Sequence, residues 1–271
     1  MKATVLSDNI PYGELECEWG LSIFIEYGER KILLDTGSSD LFIRNAERLG
    51  IDIKDVEYGV LSHAHYDHAD GMPDFFERNG KAKFYVQESC AENCYAEKEG
   101  EQKYIGIPLG MQEQYKDRLE YVSGDHKLCE GVYIIPHKTE GLYKCGERSK
   151  MYVKKGDAFE TDDFAHEQSL VFDCEEGLVI FNSCSHGGAD VIINEIAATF
   201  PDKKIQAIIG GFHLFDKTPE EAAALGERIK QTGIGRVVTG HCTGDEAMVI
   251  LKDILGEKVE QLHAGYVMEF K

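Results

Sequence analysis

The sequence predicts a layered α/β fold whose functional groups collect at one edge of its sheets. Three observations lead there. Short apolar runs at 56–61, 178–182, 205–209 and 236–239 have the length and β-branched character of buried strands. The chain reads as two broadly similar halves, each strand-rich first and strand–helix later. Each of the four runs leads into a turn that carries histidine: His63, His65 and His68, then His186, His213 and His241. Strand ends in layered α/β proteins converge on one edge, where sites are built.

The elements follow in order. Residues 21–27 and 30–34 flank Gly28-Glu29 and read as a β-hairpin. The second strand ends at the turn Asp35-Thr36-Gly37. Ser39 or Asp40 then caps a helix that runs to about Leu49 and stops at Gly50. The run 56–61 is a strand, 71–78 a helix and 82–86 a strand. From 87 to 165 the chain is rich in Tyr, Lys, Glu and Gly with weak periodicity. It reads as an insertion or cap over the site within one domain spanning 1–271, and such insertions commonly carry substrate contacts.

Order returns with strands at 169–173 and 178–182 about the turn Glu175-Glu176-Gly177, then a helix over 189–200 closed by Pro201. A strand at 205–209 ends in Gly210-Gly211-Phe212-His213. Thr218 caps the next helix, with Pro219 at its first position. A strand at 236–239, a helix at 245–255 stopped by Gly256, and a last strand over 259–270 complete the chain.

Composition bounds the function. Lys and Arg total 29 against 49 Asp and Glu, a formal charge of −20. That balance argues against non-specific nucleic-acid binding and anionic membranes. It leaves an anionic small substrate open, because bound divalent ions set the local field. No apolar run reaches transmembrane length. Residues 1–8 lack the apolar stretch of an export signal, so a cytoplasmic location with reduced thiols is expected. The eight cysteines form no Cys-x-x-Cys pair. Cys90 and Cys94, four apart, read as a thiol pair on a helix.

The chemistry concentrates in residues 61–71, where His63, His65, Asp67 and His68 give the order H-x-H-x-D-H. Neutral imidazole and carboxylate are the usual ligands of zinc and similar cations. His63 and His65 are two apart, so in an extended segment both project to one side. Asp67 and His68 follow where the chain turns, and neighbouring side chains there diverge. One loop can thus serve two metal ions roughly 3.5–4 Å apart, the spacing that clamps a hydrolytic displacement. His186 and His241 are further candidate ligands. His213 is a candidate substrate contact or proton donor. Asp35 is either an acceptor behind a ligand histidine or a cap of its own turn. His126, His137 and His263 have no motif context and read as structural or solvent-facing.

The segments Leu33-Leu34-Asp35-Thr36-Gly37, Leu49-Gly50-Ile51 and 61–71 resemble the metallo-β-lactamase fold superfamily in order and spacing. Residues 163–170, Cys184-Ser185-His186, 210–214 and 240–244 resemble one subgroup, labelled after the dihydropterin–ribofuranosylaminobenzene phosphate synthase or as zinc-dependent hydrolases. The resemblance implies a four-layer αββα sandwich with an inserted cap and a dinuclear centre at its edge. It implies that His63, His65 and His186 hold one metal, and Asp67, His68 and His241 the other. His166 becomes a candidate substrate contact. The departure is Cys184, which stands where such hydrolases carry a bridging Asp; it is either a thiolate ligand or a small buried residue.

The implied function is a hydrolase of a small phosphoester or related ester. Two divalent ions, zinc first with manganese or iron as alternatives, share a hydroxide. Asp67 orients it, and His213 protonates the leaving group or binds a phosphate. The related diiron oxidoreductases carry Glu at the position of His65 and a fused flavodoxin, so His65 favours hydrolysis over redox chemistry. Two alternatives stand beside it: a transferase condensing a dihydropterin with a ribofuranosylaminobenzene phosphate, and a non-catalytic metal-binding sensor.

Overall fold

A computed structural model describes residues 1–271 and shows two seven-stranded sheets and a smaller third. Across the first sheet the strands are Val267–Glu269, Lys2–Ser7, Ser22–Tyr27, Arg30–Leu34, Tyr58–Val60, Lys83–Gln87 and Leu119–Val122. Across the second they are Val259–Gln261, Arg236–Thr239, Ile205–Gly210, Gly177–Phe181, Gln168–Cys174, Val132–Pro136 and His126–Cys129.

Both sheets begin as antiparallel hairpins and continue in parallel. Arg30–Leu34 runs parallel to Tyr58–Val60, and Gly177–Phe181, Ile205–Gly210 and Arg236–Thr239 run parallel to one another. Parallel neighbours end at the same edge. This brings the four histidine-bearing turns to one rim.

Burial shows the layers. Strand residues Ala3, Val5, Ile23 and Ile25 pack with Leu170, Phe172, Val179 and Phe181 between the two sheets. The outer face of the first sheet is covered by Phe42, Ile43, Met72, Phe75 and Phe76 from helices Leu41–Arg48 and Met72–Arg78. The outer face of the second is covered from Ala189–Thr199, Pro219–Gln231 and Asp245–Leu255 by residues such as Ile192, Leu225 and Leu251. The result is the four-layer αββα sandwich. Thr218 caps its helix as expected, and with Glu221 it forms a complete capping box behind Pro219. No helix is long and apolar enough to cross a membrane.

Three expectations need correction. The region 87–165 is not one insertion: Leu119–Val122 extends the first sheet, and His126–Cys129 and Val132–Pro136 extend the second. Beside the short helices Met111–Gln114 and Tyr143–Ser149, the remainder builds the third sheet, Ala158–Thr161, Met151–Lys155, Cys94–Lys98 and Glu101–Tyr104, part of which faces the site. Cys94 therefore opens a strand, and Cys90 lies in a turn, not on a helix. The last strand is two: Val259–Gln261 ends the second sheet, and Val267–Glu269 crosses to the first beside Lys2–Ser7. Strand Lys2–Ser7 had no clear signal of its own; one of its partners, Val267–Glu269, lies at the other end of the chain.

Candidate metal centre

The rim gathers the candidate residues into two groups. The ligand atoms of His63, His65 and His186 lie within 4.8 Å of one another, as do those of Asp67, His68 and His241. Ring centroids are 4.6 Å apart for His63–His65 and 4.8 Å for His65–His186. His63 and His65 sit on the extended turn after Tyr58–Val60, and Asp67 and His68 on the one-turn helix Tyr66–Ala69. Cys184 lies between the groups, within ligand reach of both His63 and His68, with its Sγ 3.2 Å from His68 Nε2.

The rings are aimed by their outer nitrogens. His68 Nδ1 is 2.8 Å from Asp35 Oδ2, and His63 Nδ1 is 2.8 Å from Ser62 Oγ, which itself donates to Asp35 Oδ2 at 2.6 Å. Placing the proton on each Nδ1 makes one consistent chain and leaves both Nε2 atoms free to ligate. His241 follows the same logic, with Nδ1 3.1 Å from Asn9 Oδ1. Asp35 thus resolves as the acceptor behind His68 rather than as a cap of its own turn. Its φ of +58°, with +45° at His213 and +49° at His241, puts backbone strain at this rim.

The donor set fits a metal. His63 Nε2, His65 Nε2, both nitrogens of His186 and His241 Nε2 are buried without a hydrogen-bond partner. Buried polar atoms are seldom left so. Burial, aided by neighbouring imidazoles, pulls His63 and His186 well below the usual histidine range and His65 to about 3, so these rings are neutral and keep their lone pairs. Burial would raise Asp67, but His68 and His241 outweigh it and hold the carboxyl below its ordinary value. Cys242 and Asp67, overcoming its burial, push His241 up to about 9, so a cation bound there must displace a proton from its Nε2.

The family model of the Metallo-beta-lactamase superfamily matches residues 20–241. The chain belongs to that superfamily. It is 27% identical to the 7,8-dihydropterin-6-methyl-4-(beta-D-ribofuranosyl)-aminobenzene-5'-phosphate synthase of Methanocaldococcus jannaschii, over 93% of this chain and 90% of the relative. The crystal structure of Tm1679, described as a metal-dependent hydrolase of the beta-lactamase superfamily, matches with a TM-score of 0.84 and 28% identity, covering 99% of this chain and 98% of that one. A diphosphatase of the PhnP family shares the fold at a TM-score of 0.54 and 14% identity, over 100% and 98% of the two chains.

In this metallo-beta-lactamase superfamily member, a cavity of about 110 Å³ opens onto the site. His65, Asp67, Cys184, His186 and His213 form its floor; Trp19, Ile105, Met151 and Phe215 form apolar walls. Both ring nitrogens of His213 are unpartnered and its ring lies 4.3 Å from that of His186. His166 is not at the cavity. It is buried, with Nδ1 accepting the Ala64 N–H at 3.1 Å and Nε2 3.0 Å from Asp162 Oδ2. It holds the His63–His65 turn from behind.

Several residues that support the candidate ligand turns escaped the sequence. Glu167 accepts the backbone N–H of His186 at 2.9 Å and of Gly187 at 3.1 Å, and meets His137 Nε2 at 2.5 Å. His137 bonds Glu195 through Nδ1 at 2.9 Å. Gln168 donates its backbone N–H to Ser62 O at 2.8 Å. Residues 166–168 therefore clamp both turns that carry the candidate ligands. Glu167 stood inside a recognisable segment; His137 carried no signal. Cys242 was also missed, and its Sγ lies 3.4 Å from that of Cys184.

Proposed function

We propose that this chain is a metal-dependent hydrolase of a small phosphoester or related ester. The observation that carries the reading is the convergence of partnerless buried imidazole nitrogens with Asp67 on one accessible cavity floor. His63, His65 and His186 would hold one divalent cation, and Asp67, His68 and His241 a second, with Cys184 between them. Such a pair supplies Lewis acidity and a water acidic enough to react near neutral pH, zinc being best matched to an imidazole-rich set.

The chain's own residues do the rest. Asp35 and Ser62 lock the tautomers of His68 and His63. Asp67 Oδ2, 3.4 Å from His241 Nε2, orients the attacking water. His213 holds a proton on a ring nitrogen for the departing oxygen. Trp19 and Phe215, packed edge to face at 5.2 Å, give the mouth an apolar side suited to a planar group. A second reading, group transfer rather than hydrolysis, is supported by the likeness to the M. jannaschii synthase.

The test is metal content per chain by mass spectrometry after anaerobic purification, followed by turnover on phosphoesters, lactones and thioesters. About two ions per chain are expected. His65→Ala and Asp67→Asn are expected to cut occupancy or turnover by roughly a hundredfold or more. Full activity in both variants would sink the hydrolase reading, and condensation of the two synthase substrates without hydrolysis would select the second.

A further inference from the structure

A second cavity of about 40 Å³ adjoins the first and shares His186 and His213 with it. One water needs ~10–15 Å³, so this space suits a small polar group. Its wall is rich in donors. Lys217, Arg148 and Arg228 reach it, on a chain whose formal charge is −20. The Lys217 side chain is only 4% exposed; Nζ bonds Asp216 Oδ1 at 2.7 Å and Ser149 Oγ at 3.1 Å. An ammonium has three protons, so one stays uncommitted. Arg228 Nε donates to Asp190 at 2.7 Å, and Arg148 lies 3.7 Å from Glu221. These carboxylates balance the cations and leave the cavity close to neutral within an acidic surface.

Uncommitted groups add to this. Ser185 is 2% exposed with its Oγ unpartnered, and both His213 ring nitrogens are buried and unpartnered. Gly188 also lines the cavity and opens the eleven-residue helix Ala189–Thr199, which no side chain caps. The first amides of a helix lack partners within it and carry the positive end of its dipole. A buried hydroxyl, a free imidazole, a spare ammonium proton and an uncapped helix end suit one kind of guest, an anion with several acceptor oxygens.

We propose that this cavity is the subsite for a phosphate group of the substrate, held by Lys217, Ser185, His213 and the amino end of Ala189–Thr199. Its role in turnover rests on the hydrolase reading above; phosphate binding through Lys217 does not.

The test titrates inorganic phosphate by calorimetry into the protein as purified and into Lys217→Gln, Lys217→Arg and Ser185→Ala. Metal content and thermal midpoint are read on each sample. Lys217→Gln is expected to weaken phosphate binding at least tenfold at unchanged metal content, Ser185→Ala several-fold, and Lys217→Arg to retain it, which separates charge loss from misfolding. Phenyl phosphate is expected to compete with inorganic phosphate. Unchanged affinity in folded Lys217→Gln and Ser185→Ala overturns the subsite and leaves the metal reading standing. Absence of competition overturns its substrate role. Lys217-dependent binding in protein that retains no metal supports the subsite and overturns the metal reading instead.

Discussion

Asp35 is the residue on which the turn of candidate ligands 62–68 depends. It accepts from Ser62 N at 2.7 Å and Ser62 Oγ at 2.6 Å and faces His68 Nδ1, all while fully buried. Asp35→Asn puts an amide donor against donors. Metal affinity should fall roughly 10–100-fold, measured by competition with a chromophoric chelator. Unchanged affinity would show that the turn aims its own rings. His137 makes a second residue-scale prediction. It is pushed up to about 9, because hydrogen bonds to Glu167 and Glu195 outweigh its burial. Those glutamates are held below the ordinary range, the bond to His137 overcoming their burial. A raised histidine stabilises fully below its unfolded pKa of about 6.5 and loses that contribution as pH rises through 9; the lowered glutamates contribute above about 4.5 and lose it in acid. The difference in thermal midpoint between wild type and His137→Gln should be widest near pH 5–6.5 and close as pH passes 9. A gap independent of pH would refute the charged triad.

At the scale of elements, strand ends matter more than strand interiors. Gly210 closes Ile205–Gly210 with φ +138°, and a Cβ there would meet Asn182 O at 1.9 Å. Gly210→Ala should cost roughly 3 kcal/mol or more in denaturant unfolding, because it must shift the backbone that leads to His186. A loss under about 1 kcal/mol would mean that the rim yields easily. The sequence disclosed elements wherever local chemistry was decisive. Thr218 and Pro219 announced their helix because capping is a contact within four residues. It was silent where pairing was distant: Lys2–Ser7 is held on one side by Val267–Glu269, at the other end of the chain. The split of the last strand was hidden for the same reason, since only the two sheets decide which side of 262–266 belongs to each.

For the whole molecule, the proposed metals should act as ligands of the native state alone, since their binding groups come from both halves of the chain. Residues 63–68 hang from the first sheet, and 186 and 241 from the second. Free metal at a hundredfold over its dissociation constant would add roughly 2.7 kcal/mol. In a domain of this size that is about 5–10 °C in thermal midpoint. Chelation should lower the midpoint by that order and re-addition restore it. An unchanged midpoint with verified metal loss would show that the clamp of Glu167, Gln168 and His166 carries the rim unaided.

The sequence by itself determined the layered class, most of the strand–helix order and the identity of the ligand candidates, because periodicity, caps and closely spaced histidines are local properties of a chain. His63, His65, Asp67 and His68 were legible as a group for that reason. Tertiary structure alone decided what the candidates face. It turned His166 inward to Asp162, put Glu167 and His137 behind His186, and set Cys242 against Cys184. Apart from the bond between His166 and Asp162, four residues away, these are contacts between segments tens of residues apart, fixed by how two sheets stack and where parallel strands end, and no local pattern encodes them.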